Sequence, residues 1–247
     1  MKTRNRIVKE YKRLADAYDR KWAFYIEATT RETIARLPLR AEDRLLDIGC
    51  GTGALLHRLA AAHPACHLAG MDPVAKMLEA ARHKLSPAVE LRQGWAEQLP
   101  FADSRFDIVV SCNMFHFIDR PVDALGEIRR VLQPGGRLVI TDWCGDYWAC
   151  RLFEQYQRLL GRAHARIYRA RECRRLLEQA GFSVEAIDTY KINWRWGLMT
   201  IRCIHAPAWA QQQACSLGYR TMTISTLTRY AVLAAAGGVN RGGDSTS

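Results

Sequence analysis

The feature that most restricts the fold of this chain is the segment LLDIGCGTGALL at residues 45–56. An apolar run leads into three closely spaced glycines, and a helix-compatible run follows them directly. Such a turn between a buried strand and a helix is typical of the ligand-binding edge of a doubly wound α/β sheet. Gly49, Gly51 and Ala54 satisfy the G-x-G-x-x-G/A spacing of dinucleotide-binding folds. Counting Gly53 instead of Ala54 gives a tighter G-x-G-x-G pattern, so the spacing alone does not decide which ligand the turn holds.

Short apolar runs alternate with helix-compatible segments on both sides of this turn. We predict strands at residues 44–48, 66–71, 89–93, 106–112 and 137–143, and helices at residues 54–63, 74–85 and 121–133. Strands and helices in this order form βαβ units, which build a doubly wound sheet. Residues 182–193 and 197–205 are also predicted strands, and because only WRW separates them they favour an antiparallel hairpin.

The first 40 residues are predicted to be helical. An apolar face at helical spacing is formed by Ile7, Tyr11, Leu14 and Tyr18. The pattern Thr29-x-x-Glu32 matches a capping box and predicts the start of a second helix, which ends before Pro38. From about residue 206 the periodicity fades, so the tail at residues 206–247 is expected to be largely irregular.

The composition is typical of a core-forming protein, with 49% hydrophobic and 25% charged residues among 247. No apolar run approaches the roughly 20 residues that span a bilayer, and the first residues lack the apolar core of a signal peptide. The eight cysteines include no C-x-x-C pair, which favours reduced thiols in a cytoplasmic protein. The net charge of +11 lies outside residues 45–144, so an anionic partner, either nucleic acid or a lipid headgroup, would meet the flanks.

Two aspartates that follow predicted strands discriminate between cofactors. Asp47 precedes Gly49 by two residues, at the carboxyl end of the first strand, where its charge would oppose a pyrophosphate. It would instead attract a ligand that carries an ammonium and a sulfonium group, as S-adenosylmethionine does. Asp72, at the end of the second strand, stands where an acidic side chain holds ribose hydroxyls in either class of cofactor. The residues therefore favour S-adenosylmethionine over a nicotinamide dinucleotide.

Four longer motifs follow one another within about residues 10–143. They are LLDIGCGTGALL, LAGMDPVAKMLEAAR, GWAEQLPFADSRFDIVVSCNMFHFI and ALGEIRRVLQPGGRLVITDW. In order and spacing they resemble the motifs of class I S-adenosylmethionine-dependent methyltransferases, in particular the quinone-biosynthesis C-methyltransferase-like branch. The resemblance implies an α/β fold with a helical lid. Its sheet would be doubly wound, mainly parallel and seven-stranded, with an antiparallel last strand. The resemblance further implies a lid at residues 1–40, a cofactor-binding domain at 41–205 with a substrate-cap insertion at 146–180, and the tail at 206–247.

The resemblance also implies where the cofactor binds. Residues 47–53 would hold its methionine portion, Asp72 its ribose and residues 95–97 its adenine, while residues 112–116 would lie beneath the transferable methyl group. Trp95 departs from the pattern, because most relatives have an aspartate there, so we expect Trp95 to contact the adenine by packing and Ala96 by its backbone. The expected cofactor-binding residues are Tyr18, Asp47, Gly49, Cys50, Gly51, Gly53, Asp72, Pro73, Met77, Trp95, Ala96, Glu97, Cys112 and Asn113.

Two residues are the candidates for catalysis. His116 follows the fourth strand and is the first candidate for a general base, because imidazole most often serves in that role. Asp142, at the end of the fifth strand, is the second. A purely structural role for His116 stays open, since the sequence does not locate a partner carboxylate. No metal is expected, because Cys112-Asn113 and Asp142-Trp143 stand where a catechol-type metal site would carry further carboxylates.

The methyl acceptor is predicted to be a small, largely apolar or aromatic molecule, such as a quinone, a lipid-like molecule or a secondary metabolite. Residues 141–148 and 193–197 bring four tryptophans and a tyrosine to the region that should cover the pocket. Core packing of these aromatics is the alternative explanation. Two alternative functions remain: a methyltransferase that acts on RNA or lipid headgroups through the basic flanks, and a non-catalytic module that binds S-adenosylmethionine.

Tyr18 is predicted to face the cofactor from the lid. This prediction is preferred to the alternative, in which the first helix docks on a membrane.

Overall fold

The computed structural model describes residues 2–159 and 166–205 of the chain. The strands are β1 (Arg44–Ile48), β2 (His67–Asp72), β3 (Glu90–Gln93), β4 (Phe106–Cys112), β5 (Leu132–Trp143), β6 (Phe182–Lys191) and β7 (Gly197–His205). The helices are α1 (Lys2–Leu14), α2 (Tyr18–Lys21), α3 (Ala23–Ile34), α4 (Ala54–Ala62), α5 (Ala75–Lys84), α6 (Pro121–Val131), α7 (Trp148–Leu159) and α8 (Ala170–Gln179), with 3₁₀ turns at Ala15–Ala17 and Phe115–Phe117. Within these ranges no helix has both the length and the apolar character needed to cross a membrane.

The strands form one seven-stranded sheet in the order β3-β2-β1-β4-β5-β7-β6. Strands β1 to β5 pair in parallel, whereas β7 runs antiparallel to both β5 and β6. This arrangement confirms the predicted doubly wound sheet and the predicted hairpin. The strand order reverses between β1 and β4, and doubly wound sheets bind their ligands at this switch point.

Alternate residues of the central strands pack on opposite faces of the sheet. Leu46 of β1 and Val109 of β4 belong to one buried apolar cluster, while their neighbours Leu45 and Ile108 belong to another. Successive side chains of a strand point to opposite faces, so a strand that is buried on both faces must be a continuous apolar run. For this reason the predicted strands at 44–48 and 106–112 coincide with β1 and β4.

Two predicted element boundaries are wrong. Thr29 does not begin a helix, because it lies inside α3, where its hydroxyl donates to the backbone carbonyl of Tyr25. Strand β5 begins at Leu132 rather than at residue 137, since α6 ends one residue earlier. The left-handed backbone of Gly135, with φ +80°, lies where the pairing of β5 with β4 changes register.

The amino-terminal segment is helical, but it is divided into three helices rather than the predicted two. Tyr18 does not continue the helix that carries Ile7 and Tyr11, because the 3₁₀ turn separates α1 from α2. The Tyr11 and Tyr18 rings nevertheless lie 5.9 Å apart, so both face the same region. The predicted tail at residues 206–247 lies outside the described residues.

Candidate cofactor and acceptor site

A pocket lies at the carboxyl ends of β1, β2 and β4, where the sheet topology places a ligand. It encloses about 1110 Å³, counting the part open to solvent. Helices α1 to α3 form the opposite wall, which includes Ile7, Tyr11, Tyr18 and Tyr25.

Asp47 of β1 is a buried carboxylate that lines this pocket. Its Oδ1 atom has no hydrogen-bond partner within the described part of the chain. Burial, with a smaller contribution from the charge of Asp72, raises the pKa of Asp47 to about 8. A buried carboxylate without a counter-charge is costly to ionise. A cationic ligand group within reach of Oδ1 would therefore be bound strongly, because it removes that cost.

Asp72 of β2 connects the glycine-rich turn to the start of α5. Its Oδ2 accepts a hydrogen bond from the Gly51 backbone N–H at 3.0 Å, and its Oδ1 accepts one from the Val74 N–H at 2.8 Å. Burial raises the pKa of Asp72 to about 6, although these two hydrogen bonds oppose the shift. Each carboxylate oxygen keeps lone-pair capacity beyond these bonds, so Asp72 can also accept hydrogen bonds from ligand hydroxyls.

The raised pKa of Asp47 predicts how the stability of the ligand-free protein depends on pH. In the unfolded chain the carboxyl ionises near its usual value of 3.8, whereas in the folded protein it stays protonated up to about pH 8. Folding therefore takes up a proton in this window, and the free energy of unfolding falls as the pH rises from about 4 to about 8. Asp72 contributes in the same direction up to about pH 6. Urea denaturation across this range should give a shallower pH slope for Asp47→Asn, and equal slopes would contradict the assignment.

Backbone conformation explains why the turn contains glycines. Gly49, Gly51 and Gly53 have φ values of +75°, +54° and +79°, a left-handed region that favours glycine. A Cβ atom on Gly49 would lie 2.3 Å from the Cγ atom of Met114, and one on Gly53 would lie 2.9 Å from Cδ1 of Leu85. A Cβ atom on Gly51 would meet no atom within 4 Å. Because Gly51 lines the pocket, the open space beside it is space for a ligand.

Helix α1 contacts the loop that follows β3. Arg4 forms an ion pair with the buried Glu97 at 2.9 Å, and its guanidinium lies 4.6 Å from the centre of the Trp95 ring. Asp19 of α2 contacts the glycine-rich turn, accepting a hydrogen bond from the Thr52 hydroxyl at 2.5 Å. These contacts hold the amino-terminal helices over the side of the pocket that the motifs assign to the cofactor.

The carboxyl end of β4 carries a hydrogen-bonded polar group at the other side of the pocket. The Tyr25 hydroxyl donates to Oδ1 of Asn113 at 2.7 Å and accepts from Nε1 of Trp143 at 2.5 Å. Burial raises the pKa of Tyr25 far above its usual value, so the hydroxyl stays protonated. Trp143 also stacks on Trp196, with ring centres 5.2 Å apart. Burial likewise raises the pKa of Cys112 to about 12, which keeps this thiol neutral.

His116 and Asp142 form a buried pair beside this group. Nδ1 of His116 lies 2.6 Å from Oδ1 of Asp142, whose Oδ2 accepts the His116 backbone N–H at 2.9 Å. A carboxylate oxygen accepts hydrogen bonds, so Nδ1 carries a hydrogen, and in the neutral imidazole the lone pair is therefore on Nε2. Nε2 is buried and has no hydrogen-bond partner among the described residues. The imidazole lies between the rings of Phe117, at 4.1 Å, and Trp143, at 4.4 Å.

Most of the sequence-predicted site residues meet at the pocket. Those that line it are Tyr18, Asp47, Gly49, Cys50, Gly51, Asp72, Pro73, Met77, Trp95, Ala96, Glu97, Cys112 and Asn113. Gly53, His116 and Asp142 are not among the lining residues. Gly53 packs against α5, and the paired His116 and Asp142 are linked to the pocket wall by the contact of His116 with Phe117. Sequence reasoning missed Arg4 and Tyr25 as site residues. Tyr11 also lines the pocket, and its position on the predicted apolar face beside Tyr18 is a signal that could have identified it as a site residue.

Comparison with known proteins agrees with this geometry. A family profile described as a methyltransferase domain matches residues 46–140. A demethylmenaquinone methyltransferase of a Mycobacterium species (strain KMS) is 33% identical over 190 residues, which cover 71% of this chain and 80% of that protein. The chain belongs to the S-adenosylmethionine-dependent methyltransferases. The family resemblance of the four motifs is thereby confirmed.

Other relatives of this methyltransferase match over different lengths. The 27-O-demethylrifamycin SV methyltransferase of Amycolatopsis mediterranei is 35% identical over 162 residues, which cover 57% of this chain and 59% of that enzyme. The methyltransferase thus spans less than two thirds of this relative. A solved Thermotoga maritima structure, described as a possible histamine N-methyltransferase, has a TM-score of 0.67 at 24% identity and covers 80% of this chain and 99% of its own. At this level of identity, the likeness shows that the two proteins share a fold.

S-adenosylmethionine is the cofactor of this family, and the residues of the pocket suit it. The unpartnered Oδ1 of Asp47 suits the ammonium of its methionine portion. The two oxygens of Asp72 suit ribose hydroxyls, and the open space at Gly51 lets the ligand approach the backbone. The buried carboxyl of Asp47 in the pocket wall would instead oppose the negative charge of a pyrophosphate. The pocket therefore fits this cofactor rather than a dinucleotide.

Proposed function

We propose that this protein transfers a methyl group from S-adenosylmethionine to a small, largely apolar or aromatic acceptor. The supporting observation is the character of the pocket beyond the cofactor-binding residues, where Tyr25, Ile26, Phe117 and Ile118 line it. The Tyr25 hydroxyl and the Asn113 amide supply polar atoms there. Apolar walls with a few placed polar groups are typical of sites for small apolar molecules. The relatives named for demethylmenaquinone and for a demethylrifamycin support the same class of acceptor.

The protein contributes mainly binding and orientation to this reaction. S-adenosylmethionine supplies a methyl group on a positively charged sulfur. In the proposed site, Asp47 holds the ammonium, Asp72 holds the ribose and Trp95 packs against the adenine. Alignment of donor and acceptor, together with exclusion of water, then supplies much of the acceleration.

The described cysteines are free thiols, which supports the predicted cytoplasmic location.

We propose that residues 1–40 form a lid over the cofactor. The predicted cap at residues 146–180 lies partly outside the described residues, and its described part contributes no residue to the pocket lining. The ion pair between Arg4 and Glu97 and the position of Tyr18 in the pocket wall support the lid assignment. A closed lid excludes water and protects its own backbone amides. Hydrogen exchange of residues 5–20 with and without S-adenosylmethionine measures this closure.

His116 is the proposed general base for an acceptor that loses a proton, and Asp142 is the residue that positions it. The prediction that Asp142 is itself a base is revised, because both of its oxygens are already engaged. Oδ1 accepts from Nδ1 of His116 and from the Trp143 backbone N–H, and Oδ2 accepts from the His116 backbone N–H. Nε2 of His116 keeps the lone pair that a base needs. Nε2 is buried and His116 is not among the pocket-lining residues, whereas its ring neighbour Phe117 is, so this role requires a local rearrangement that opens a path from Nε2 to the acceptor.

The proposal is tested by a transfer assay with S-adenosylmethionine labelled on the methyl group and a fractionated cell extract. We expect label in an apolar small-molecule fraction, with the product identified by mass, and none with Asp47→Asn as the enzyme. Once the acceptor is known, His116→Gln should lower kcat by roughly 10²–10⁴-fold with little change in KM. Label that enters only RNA would contradict the proposed acceptor class, and an unchanged kcat would contradict the role of His116.

A further inference from the structure

Helix α7 presents an apolar face to solvent. Trp148, Leu152, Tyr156 and Leu159 are 69%, 63%, 54% and 87% exposed. Their spacing of four, four and three residues places them on one side of the helix. The opposite side is packed, since Cys150 is buried and the ring of Phe153 lies 5.0 Å from that of Trp196. These four exposed residues are named the α7 face.

The segments beside α7 carry two more exposed aromatic side chains. Phe24 of α3 is 58% exposed, and Trp194, between β6 and β7, is 73% exposed. A buried aromatic cluster joins the three segments, because Trp196 contacts Tyr25 at 5.4 Å as well as Phe153. The exposed apolar side chains thus belong to elements that meet at the acceptor end of the pocket. Contiguous exposed apolar surface of this kind marks an interaction site.

The charge around the α7 face is positive. The exposed basic side chains of α7 and of the segment that leads from the end of β6 to β7 include Arg151, Lys191 and Arg195. The acidic side chains nearest to α7 are the half-buried Glu154 and the exposed Asp146, which accepts a hydrogen bond from the Ala170 backbone N–H. On α3 the exposed Glu27 is paired with Arg58, and the half-buried Glu32 is paired with Arg36. Lys191 lies 5.4 Å from the centre of the Tyr147 ring, immediately before α7, so the basic border reaches the helix itself. A basic border favours an anionic partner.

We propose that the α7 face docks the protein on the surface of an anionic lipid bilayer. An apolar helix face with tryptophan, tyrosine and leucine, bordered by basic side chains, is typical of helices that lie in the headgroup region of membranes. A second copy of the chain fits less well, because a symmetric contact would bring the two basic borders together. The docking site goes beyond the proposed methyl transfer.

The test is co-sedimentation of the full chain with vesicles of phosphatidylcholine mixed with phosphatidylglycerol, compared with vesicles of phosphatidylcholine alone. We expect binding to the mixed vesicles that weakens as the salt concentration rises. Leu152→Ser should lower the partition coefficient by about tenfold, because a leucine side chain no longer enters the apolar region. Arg151→Gln should lower it by about fivefold for the mixed vesicles only.

Val122→Ser is the matched control, since Val122 on α6 is 63% exposed, as Leu152 is. It should leave vesicle binding unchanged, and circular dichroism checks that every variant is folded. Binding is measured without a methyl acceptor, so the outcome does not depend on the proposed reaction. No vesicle binding, equal binding by Leu152→Ser and Val122→Ser, or a dimer that Leu152→Ser dissociates in the absence of lipid would each overturn the proposal.

Discussion

Replacing Asp47 by asparagine is expected to abolish the binding of S-adenosylmethionine and, at the same time, to stabilise the ligand-free protein. Removal of one partner from a buried charge pair costs about 3–5 kcal/mol, so affinity should fall by about 10²- to 10⁴-fold in calorimetry. The folded protein without ligand no longer has to bury this carboxyl, whose pKa burial raises to about 8. Its free energy of unfolding should therefore rise by roughly 2–4 kcal/mol at neutral pH.

Asp107→Asn is the control for this variant, with the opposite expected pattern. Asp107 of β4 is not among the pocket-lining residues, and its Oδ2 accepts from the Arg44 backbone N–H at 2.9 Å. Burial acts to raise the pKa of Asp107, but hydrogen bonds from Arg44 and Gln133 outweigh it and hold the pKa below its usual value. This carboxylate stabilises the folded protein, so its loss should lower stability and leave cofactor affinity intact. If Asp47→Asn binds the cofactor like the native protein, the ammonium site has been misassigned.

Gly51→Val is expected to remove cofactor binding by a different mechanism, through the loss of space. Gly51 has φ +54°, and a Cβ atom there would project into open pocket volume with no atom within 4 Å. The branched side chain would occupy the space where the ligand approaches the backbone. We expect affinity to fall by at least about 10²-fold, as measured by calorimetry, alongside a loss of about 1–2 kcal/mol in stability from the strained backbone.

Gly135→Val is the control that separates the loss of ligand space from the strain on the backbone. Gly135 has φ +80°, a Cβ atom there would also meet nothing within 4 Å, and the residue is not among those that line the pocket. Both valine variants therefore bear the same kind of backbone strain, but only Gly51→Val should lose the cofactor. Equal affinities in the two variants would show that the space beside Gly51 is not ligand space.

The succession of strands and helices along the chain, the position of the glycine-rich turn and the placement of Asp47 and Asp72 could be predicted from the sequence. Each depends on local information. A strand buried on both faces is a continuous apolar run, and a residue at its carboxyl end lies at the switch point of the sheet. The family motifs added the cofactor, and the structure brings the residues that they indicated to one pocket, except for Gly53, His116 and Asp142.

The remaining features of the site depend on contacts between distant parts of the chain. Tyr25 bonds to Asn113, 88 residues away, and to Trp143, 118 residues away, so no local pattern marks it as part of the acceptor end. The contact of Arg4 with Glu97 is equally distant in sequence. Which side of α7 is packed depends on the contact of Phe153 with Trp196, which comes from a distant part of the chain.

The sequence by itself determined the α/β fold, the hairpin and the cofactor class of this methyltransferase, because hydrophobic periodicity and the chemistry at strand ends are local properties. Only the tertiary structure decided that Asp142 accepts three hydrogen bonds from His116 and Trp143 and that Nε2 of His116 has no partner within the described part of the chain. It also decided that the α7 face is exposed. Burial and hydrogen-bond partnership are set by what the rest of the chain places against a side chain, and that information is not contained in any one segment.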